Sequence, residues 1–290
     1  MSTAAVSIPL DAWEIAVLAG VSLVICATST SMAMESAALF VPAFLLGFPA
    51  VLPGFPAVGV NEAIGLTLVV MFFGQTSANV GYWYRDQINF RLAGRLLVWT
   101  APLAVVGRIA SYLLPETVLL VVFAGLLLGL AAVVRGHSTG DDAEQPAGQV
   151  EPDGGIDSRQ RLGLRETGSM SGGGAVTGLV GLGMGEVCNT VLSLKDGISV
   201  HRSIGTSTLV LYLTVLAAAL TNLGVVRYGE AMGVEPSIPW AIAAIIAPVA
   251  LVGGQVGSFL NSRLPEAAIM RLLVVLYVGV AAVTLFRAVG

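Results

Sequence analysis

Long apolar runs alternate along the chain with short segments that carry most of its charged residues. The runs predict eight helical segments, at roughly residues 15–48, 62–84, 92–114, 117–134, 172–194, 203–226, 238–260 and 267–287. Most of them approach the roughly 20 residues that an α-helix needs to cross about 30 Å of hydrocarbon. Aromatic residues such as Trp13, Tyr112 and Trp240 lie near the ends of runs, and amphipathic rings favour the headgroup region of a bilayer. The pattern therefore predicts an all-α integral membrane protein.

The composition supports this interpretation. The 290 residues are 56% hydrophobic and 11% charged, whereas soluble domains average about 25% charged residues. The mean hydropathy is +0.86. So few charged side chains cannot cover the surface of a soluble protein of this size, which excludes an ordinary soluble enzyme, a nucleic-acid-binding protein and a disordered protein. We therefore expect a multi-pass membrane protein.

One long polar stretch, residues 136–169, interrupts the apolar pattern near the middle of the chain. It contains seven acidic and three basic residues, so it accounts for the whole formal net charge of −4. Its richness in glycine and aspartate predicts an acidic, flexible cytoplasmic linker. A regulatory docking segment is the alternative interpretation.

The sequences on either side of this linker resemble each other. The matches keep their order in both halves and include a proline–glycine motif, a loop motif and isolated polar or small residues. They are Ala101–Gly107 with Ala247–Gly253, Leu114–Glu116 with Leu264–Glu266, Ile64 and Gly65 with Ile204 and Gly205, and Asn79 with Asn222. We therefore predict a first membrane repeat over residues 1–135 and a second over residues 170–290.

Each half also opens with an apolar segment that contains a cluster of small or polar residues ending in a glutamate. In the first half this cluster is Ser29–Glu35, and in the second it is Gly181–Glu186. Such clusters predict interrupted helices. Duplicated halves with broken helices in corresponding positions are typical of secondary transporters, whose site lies between the halves.

Two membrane topologies are compatible with the duplication. If each opening segment spans the membrane, the halves are parallel repeats of four spans, with nine basic residues on the cytoplasmic side and five outside. If each opening segment enters and turns back, the halves are inverted, and the counts become eleven and three. Cytoplasmic loops carry an excess of Lys and Arg. We therefore predict inverted repeats, each with an interrupted or re-entrant opening segment followed by three transmembrane helices.

The glycines at 181, 183 and 185 allow tight or left-handed backbone. A helix that restarts after them directs free N–H groups and a positive partial charge into the protein, which suits an anion. We therefore predict that Gly183 and Gly185 bind substrate. The alternative is that these glycines only permit close helix packing.

Glu35, Arg108 and Glu186 are charged residues well inside the apolar segments, whereas Glu62 lies at a segment end. Such residues usually face an interior or a water-filled cavity. Glu35 and Glu186 occupy equivalent places, so we expect them to face each other near the midplane. Desolvation and a second carboxylate both favour the protonated form of one carboxyl group, which would let the pair couple transport to protons. Alternatively, each accepts hydrogen bonds from free backbone N–H groups as a local cap.

Arg108 is a candidate ligand, because a guanidinium binds anion oxygens through paired hydrogen bonds. Alternatively, its side chain snorkels to the membrane interface. Further polar residues at matching sites complete the predicted substrate site, with Gln75 beside them: Asn79, Thr206, Ser207, Asn222 and Gln255. Each of these residues alone is also typical of an interhelical hydrogen bond. Two histidines do not make a metal site, and we expect neither a metal nor a cofactor.

The glycine motifs resemble those of the sulfite exporter TauE/SafE family. Gly178–Gly185 resembles its glycine-rich opening motif, Arg202–Ser207 its "VGTS" segment, and Ala247–Gly257 its Pro/Gly motif. The resemblance covers nearly the whole chain. It implies a multi-pass permease of the cytoplasmic membrane that exports small sulfur-containing anions such as sulfite and organosulfonates, driven by an ion or proton gradient. The chain departs from the family pattern at Ser29–Glu35, where a glycine cluster is usual, and at Thr190, where a proline is expected.

The alternative function is a channel or an uptake permease for another small anion. A channel would not need the paired acids. A membrane-embedded enzyme or assembly factor is disfavoured, because the sequence lacks a nucleophile–base set and a metal-ligand set. The expected partners are a small anionic substrate, the lipid bilayer and a coupling proton or ion, and the sequence leaves a homo-oligomer open.

Overall fold

The computed structural model describes residues 10–31, 34–138, 164–193, 200–229, 238–261, 274–275 and 277–285. All regular structure within these residues is helical. The first half contains α1 (Ala12–Ser31), α2 (Ala37–Pro42), a π-helical turn (Ala43–Gly47), α3 (Phe48–Val51), α4 (Val60–Tyr84), α5 (Phe90–Leu113) and α6 (Glu116–Ser138). The second contains α7 (Leu164–Val180), α8 (Met184–Ser193), α9 (Val200–Tyr228) and α10 (Trp240–Asn261), and residues 277–285 are also helical.

The all-helical prediction is confirmed for the described part of the chain. Five of its helices, α1, α4, α5, α9 and α10, are long and apolar enough to cross a membrane. Both opening segments are interrupted, the first between α1 and α2 and the second between α7 and α8. Helix α6 ends at Ser138 and α7 begins at Leu164, so the two ends of the predicted linker are helical. Residues 139–163 lie outside the described residues.

Apolar side chains point outward as well as inward on these helices. Along α5, Val98 is 66% exposed and Leu113 is 75% exposed, whereas Leu96 and Ala104 are buried. Exposure of such an apolar surface to water costs free energy, whereas contact with lipid hydrocarbon does not. The helices therefore lack a polar outer face, and their inner faces are distinguished by small and polar residues.

The starts of α4 and α5 are held by side-chain caps. Glu62 accepts a hydrogen bond from the Gly59 N–H at 2.9 Å, and Glu116 accepts one from the Val60 N–H at 3.1 Å. At the start of α5, Asn89 accepts one from the Leu92 N–H. These acceptors satisfy N–H groups that a helix start leaves free.

Helix α5 of the first half packs very closely on α7 of the second. A Cβ atom at Gly174 would overlap the backbone of Thr100, and one at Gly178 would overlap the backbone of Ala104. The contact positions increase together along both helices, so α5 and α7 run parallel. The absence of side chains on these glycines is what allows the two backbones to touch.

Helix α10 of the second half packs in the corresponding way on α1 of the first. A Cβ atom at Gly253 would lie 2.5 Å from Cys26 Cβ, and one at Gly257 would lie 2.6 Å from Thr30 Cβ. These helices also run parallel. Each opening helix is therefore seated on a helix of the other half.

Helices α4 and α9, which the sequence pairs as equivalents, cross in the opposite sense. Gly65 of α4 lies against Asn222 of α9, and Asn79 of α4 donates to the Thr208 carbonyl of α9 at 3.4 Å. Early residues of one helix meet late residues of the other, so α4 and α9 run antiparallel.

Two further contacts complete two groups of parallel helices. Helix α10 also runs parallel to α4, and α9 runs parallel to α5. The paired positions are Gly74 with Ala250 and Gly81 with Ser258 for α4 and α10, and Thr100 with Thr214 and Arg108 with Asn222 for α5 and α9. Helices α1, α4 and α10 therefore share one direction, and α5, α7 and α9 share the other.

We expect Gly178→Ala to destabilise the protein, because the added methyl group overlaps the Ala104 carbonyl and overpacking costs about 1–3 kcal/mol. Gly172→Ala on the same helix is the matched control, since nothing lies within 4 Å of its added Cβ. Thermal unfolding in detergent should show a lower Tm for Gly178→Ala and an unchanged or higher Tm for Gly172→Ala. Equal melting temperatures would contradict the close α5–α7 contact.

Candidate functional site

The break between α7 and α8 depends on two glycines with positive φ. Gly181 has φ of 78° and Gly183 has φ of 128°, values that side-chain-bearing residues rarely adopt. The Gly181 N–H donates to the Thr177 carbonyl at 2.8 Å, which closes α7. The chain then restarts as α8 at Met184, with its first N–H groups directed toward the first half of the protein.

The carboxylate of Glu35 occupies this helix start. Glu35 is fully buried, and its two oxygens accept hydrogen bonds from the Gly183 N–H at 2.6 Å and the Gly185 N–H at 2.8 Å. The Thr177 hydroxyl donates to the same carboxylate at 3.3 Å and accepts from the Met184 N–H at 2.8 Å. The interrupted segment of one half thus caps the broken helix of the other.

These contacts favour the capping interpretation of Glu35, with the donors coming from the opposite half. They also show that the Gly183 and Gly185 N–H groups, predicted to bind substrate, hold a carboxylate of the protein itself. The side chain of Glu186 lies outside the described residues, so its predicted position opposite Glu35 stays a prediction.

A small cavity lies beside this capped break. It measures about 10 Å³, roughly the space of one water molecule. Residues from both halves line it: Thr30, Met34, Gln75, Gly185, Ser207, Thr208 and Leu211. The cavity therefore lies where the two opening segments meet the central helices α4 and α9.

The polar groups of the cavity differ in how fully they are hydrogen bonded. The Ser207 and Thr208 hydroxyls donate to the Ile204 carbonyl, at 3.0 and 2.7 Å. Their oxygen atoms can still accept hydrogen bonds from other donors. Gln75 is 5% exposed, and its side-chain oxygen has no hydrogen-bond partner among the described residues. A buried amide oxygen without a donor is costly, so Gln75 marks this cavity as a place for a ligand.

A line of polar residues continues from the cavity along α4. Gln75, Asn79 and Tyr82 follow at spacings of four and three residues, which places them on one helix face. The Asn79 amide donates to the Gln75 and Thr208 carbonyls. The Asn79 side-chain oxygen and the Tyr82 hydroxyl have no partner among the described residues. This polar face of α4 lies toward α9.

Arg108 of α5 lies away from the cavity, beside the end of α9 that contains Asn222. Its guanidinium is fully buried, so the snorkelling alternative is wrong. It donates to the Asn222 side-chain oxygen at 2.8 Å, the Ser111 hydroxyl at 3.0 Å and the Asn61 carbonyl at 3.0 Å. It also donates to the Tyr112 hydroxyl at 2.8 Å, and its carbon lies 4.5 Å from the centre of the Tyr112 ring.

All the acceptors that the structure shows for Arg108 are neutral oxygens. Asn222 lies fourteen positions beyond Thr208 on α9, roughly 21 Å at 1.5 Å per residue. The predicted ligands Arg108 and Asn222 therefore form their own cluster, remote from the cavity that Ser207 lines.

Two other predicted ligands contact backbone outside the cavity. Thr206 accepts a hydrogen bond from the Asn89 N–H at 3.0 Å, which ties α9 to the start of α5. Gln255 is exposed and donates to the Ser77 carbonyl of α4 at 2.7 Å. Of the predicted substrate ligands, the cavity lining contains Gly185 and Ser207, and Asn79 lies next along α4.

The sequence analysis missed several residues of this site. Thr30, Met34, Thr208 and Leu211 line the cavity, and Thr177 bridges Glu35 to α8. One signal was available: Thr177 lies four residues before Gly181, where a hydroxyl can reach a helix end. Within the described residues, no group of three or more His, Cys, Asp or Glu side chains could hold a metal ion.

The apolar outer surface, the interrupted helices and the interior polar cavity define a multi-pass membrane protein of the transporter class. The family model described as "Sulfite exporter TauE/SafE" matches residues 12–285, nearly the whole chain. The chain belongs to this family, whose members are membrane transporters rather than enzymes. Comparison with curated proteins and with solved structures finds no match.

We expect Arg108→Ala to destabilise the protein strongly, because it leaves Asn222, Ser111 and Tyr112 without the cation that they surround. A hydrogen bond to a charged group contributes about 1.5–3 kcal/mol. Arg91→Ala, which removes the same charge from an exposed position of α5, is the control. The Tm in detergent should fall far more for Arg108→Ala. Similar decreases in Tm for both variants would show that the Arg108 hydrogen bonds contribute no more to stability than an exposed charge does.

Proposed function

We propose that this protein is a secondary transporter that exports small sulfur-containing anions, such as sulfite or organosulfonates, from a site between its two halves. The cavity beside the α8 start carries the proposal, because both halves line it and the side-chain oxygen of buried Gln75 has no partner among the described residues. A 180° rotation of this amide exchanges its oxygen and its NH2 group, so Gln75 and the N-terminus of α8 can supply the N–H donors that an oxyanion requires.

The cavity in this state is too small for the proposed substrate. Sulfite has four heavy atoms, whereas the cavity has space for about one water molecule. Binding therefore requires the lining helices to separate. This requirement favours a carrier that alternates between closed and open states over a permanently open channel.

We infer that the halves are inverted repeats, with the chain entering from outside. Three observations support this arrangement: α1 and α7 run in opposite directions, as do α4 and α9, and α5 and α10. Because α1 and α4 run parallel, the segment between them must return across part of the membrane. The same holds for α7 and α9. This topology places more of the basic residues on the cytoplasmic side.

Physical chemistry favours export over uptake for an anion. A cell membrane is negative inside, and each charge gains about 2.3 kcal/mol per 100 mV on leaving. Uptake would instead require coupling to cations. The TauE/SafE assignment of the chain agrees with this direction.

We further propose that Glu186 takes up and releases a proton during transport. Its backbone follows that of Gly185, a residue that lines the cavity, in α8. Of the described side chains that contact the start of α8, Thr177 and Leu211 are neutral, and Glu35 carries the charge. Two carboxylates placed near each other repel, and a proton on one of them relieves the repulsion.

Proteoliposomes loaded with unlabelled sulfite should accumulate radiolabelled sulfite by counterflow. Gln75→Leu removes an amide donor from the cavity at nearly constant volume, so we expect its half-saturation concentration to rise about tenfold, as loss of one charged hydrogen bond predicts. Thr76→Val on the same helix is the control, since the Thr76 hydroxyl donates to Phe72 of its own helix. Flux without counterflow would indicate a channel, and equal effects of both variants would exclude the cavity as the site.

Proton coupling is best tested with ethanesulfonate, whose own charge does not change near neutral pH. With the voltage clamped at zero, a pH gradient alone should drive its accumulation in wild-type proteoliposomes and not in Glu186→Gln ones. Absence of this accumulation in the wild type would contradict proton coupling. Wild-type behaviour of Glu186→Gln would exclude Glu186 as the proton carrier.

A further inference from the structure

We propose that the Glu35 carboxylate is a tethered internal anion that fills the substrate's oxyanion site, and that the transported anion must displace it. The inference rests on the proposed function for the identity of the transported anion. In this role Glu35 both caps α8 and competes with the substrate for the N–H groups of Gly183 and Gly185.

The first observation is that the Gly185 N–H belongs to both sites. It donates to Glu35 at 2.8 Å, and Gly185 lines the cavity. An anion that enters the cavity and approaches the start of α8 therefore meets a donor that is already engaged. Binding there requires exchange of one oxyanion for another.

The second observation is the state of Gln75. This residue lines the same cavity and is 5% exposed, and its side-chain oxygen has no partner among the described residues. A buried amide beside an engaged helix start indicates a binding site that is only partly filled. Glu35 occupies the α8 donors. The Gln75 amide, whose oxygen and NH2 group exchange places by a 180° rotation, remains for a ligand larger than one carboxylate.

The third observation is chemical similarity. A carboxylate, a sulfite and a sulfonate all present two or more oxygens on one small centre, and all are anionic near neutral pH. Two N–H groups and a hydroxyl that hold Glu35 can therefore hold two oxygens of such a substrate. The Glu35 carboxylate is thus a chemical analogue of the substrate that is covalently part of the protein.

The position of Glu35 makes the exchange feasible. It lies outside helix, between the end of α1 at Ser31 and the start of α2 at Ala37. Rotation of its side chain can release the α8 donors without unwinding either helix. When no substrate is present, the carboxylate returns, so the buried N–H groups are not left without an acceptor.

This competition has two measurable consequences. When the Glu35 carboxylate occupies the α8 donors more than nine-tenths of the time, sulfite binds at least tenfold more weakly than it would to the same site without Glu35. Removing the Glu35 carboxylate should therefore tighten sulfite binding. It should also slow the return of the empty transporter, whose α8 donors then lack an acceptor, so net efflux falls while sulfite–sulfite exchange persists.

The test compares Glu35→Ala with Glu14→Ala in the purified full-length protein. Glu14 is the matched control, because its buried carboxylate also accepts two backbone N–H groups, from Asp11 and Gly54, away from the cavity. We expect Glu35→Ala to bind sulfite at least about tenfold more tightly than wild type, and Glu14→Ala to match wild type. Sulfite affinity of Glu35→Ala equal to or weaker than wild type would overturn the proposal.

Formate provides a readout that does not depend on transport. It is a free carboxylate, so it should replace the missing side chain and raise the Tm of Glu35→Ala while leaving wild type unchanged. If Glu35→Ala does not fold alone, purification in formate should recover it, and Glu35→Gln provides a second uncharged variant for the sulfite measurement. No response of Glu35→Ala to formate would contradict the inference. Formate stabilisation without any sulfite counterflow would instead reject the proposed function alone.

Discussion

A break in a helix inside a membrane protein leaves backbone N–H groups that hydrocarbon cannot satisfy. A buried carboxylate has the opposite need, because its charge is costly without donors. In this protein each solves the problem of the other: the start of α8 supplies the donors and Glu35 supplies the acceptor. The contact joins residues about 150 positions apart, and through it the interrupted segment of one half is completed by the other.

The longer helices of the two halves also pack on each other. Helix α5 lies on α7, and α10 lies on α1, at glycine contacts that admit no side chain. The structure therefore contains two groups of helices, each built from both halves, with α1, α4 and α10 in one and α5, α7 and α9 in the other. The two groups meet at the antiparallel pair α4 and α9. The cavity lies at this boundary, with Gln75 on one side and Ser207 on the other, which is where relative movement of the groups would open it.

Much of this architecture follows from the sequence, because hydrophobic length and internal repetition are local properties. The apolar runs predicted α4, α5, α9 and α10 to within a few residues, and the glycines at 181 and 183 predicted the break. The role of single polar residues could not be read in the same way. A polar side chain in an apolar helix must find a partner, and the sequence does not tell whether that partner is a ligand or a neighbouring carbonyl. Gln255 and Thr206 found backbone groups, whereas Gln75 was left toward the cavity, and only tertiary contacts separate these outcomes.

In the transport that we propose, the buried charge of Arg108 would act on the anion without touching it. Neutral oxygens of Asn222, Ser111, Asn61 and Tyr112 replace its hydration, but they do not cancel its positive charge. At roughly 20 Å and an effective dielectric constant of about 20, its attraction for an anion in the cavity is about 0.8 kcal/mol. One charged hydrogen bond contributes about twice that or more. In the site that we propose, the α8 donors and Gln75 therefore decide whether an anion binds, and Arg108 adds a weak, long-range preference for negative charge. Within the fold, Arg108 joins α4, α5 and α9 through its hydrogen bonds.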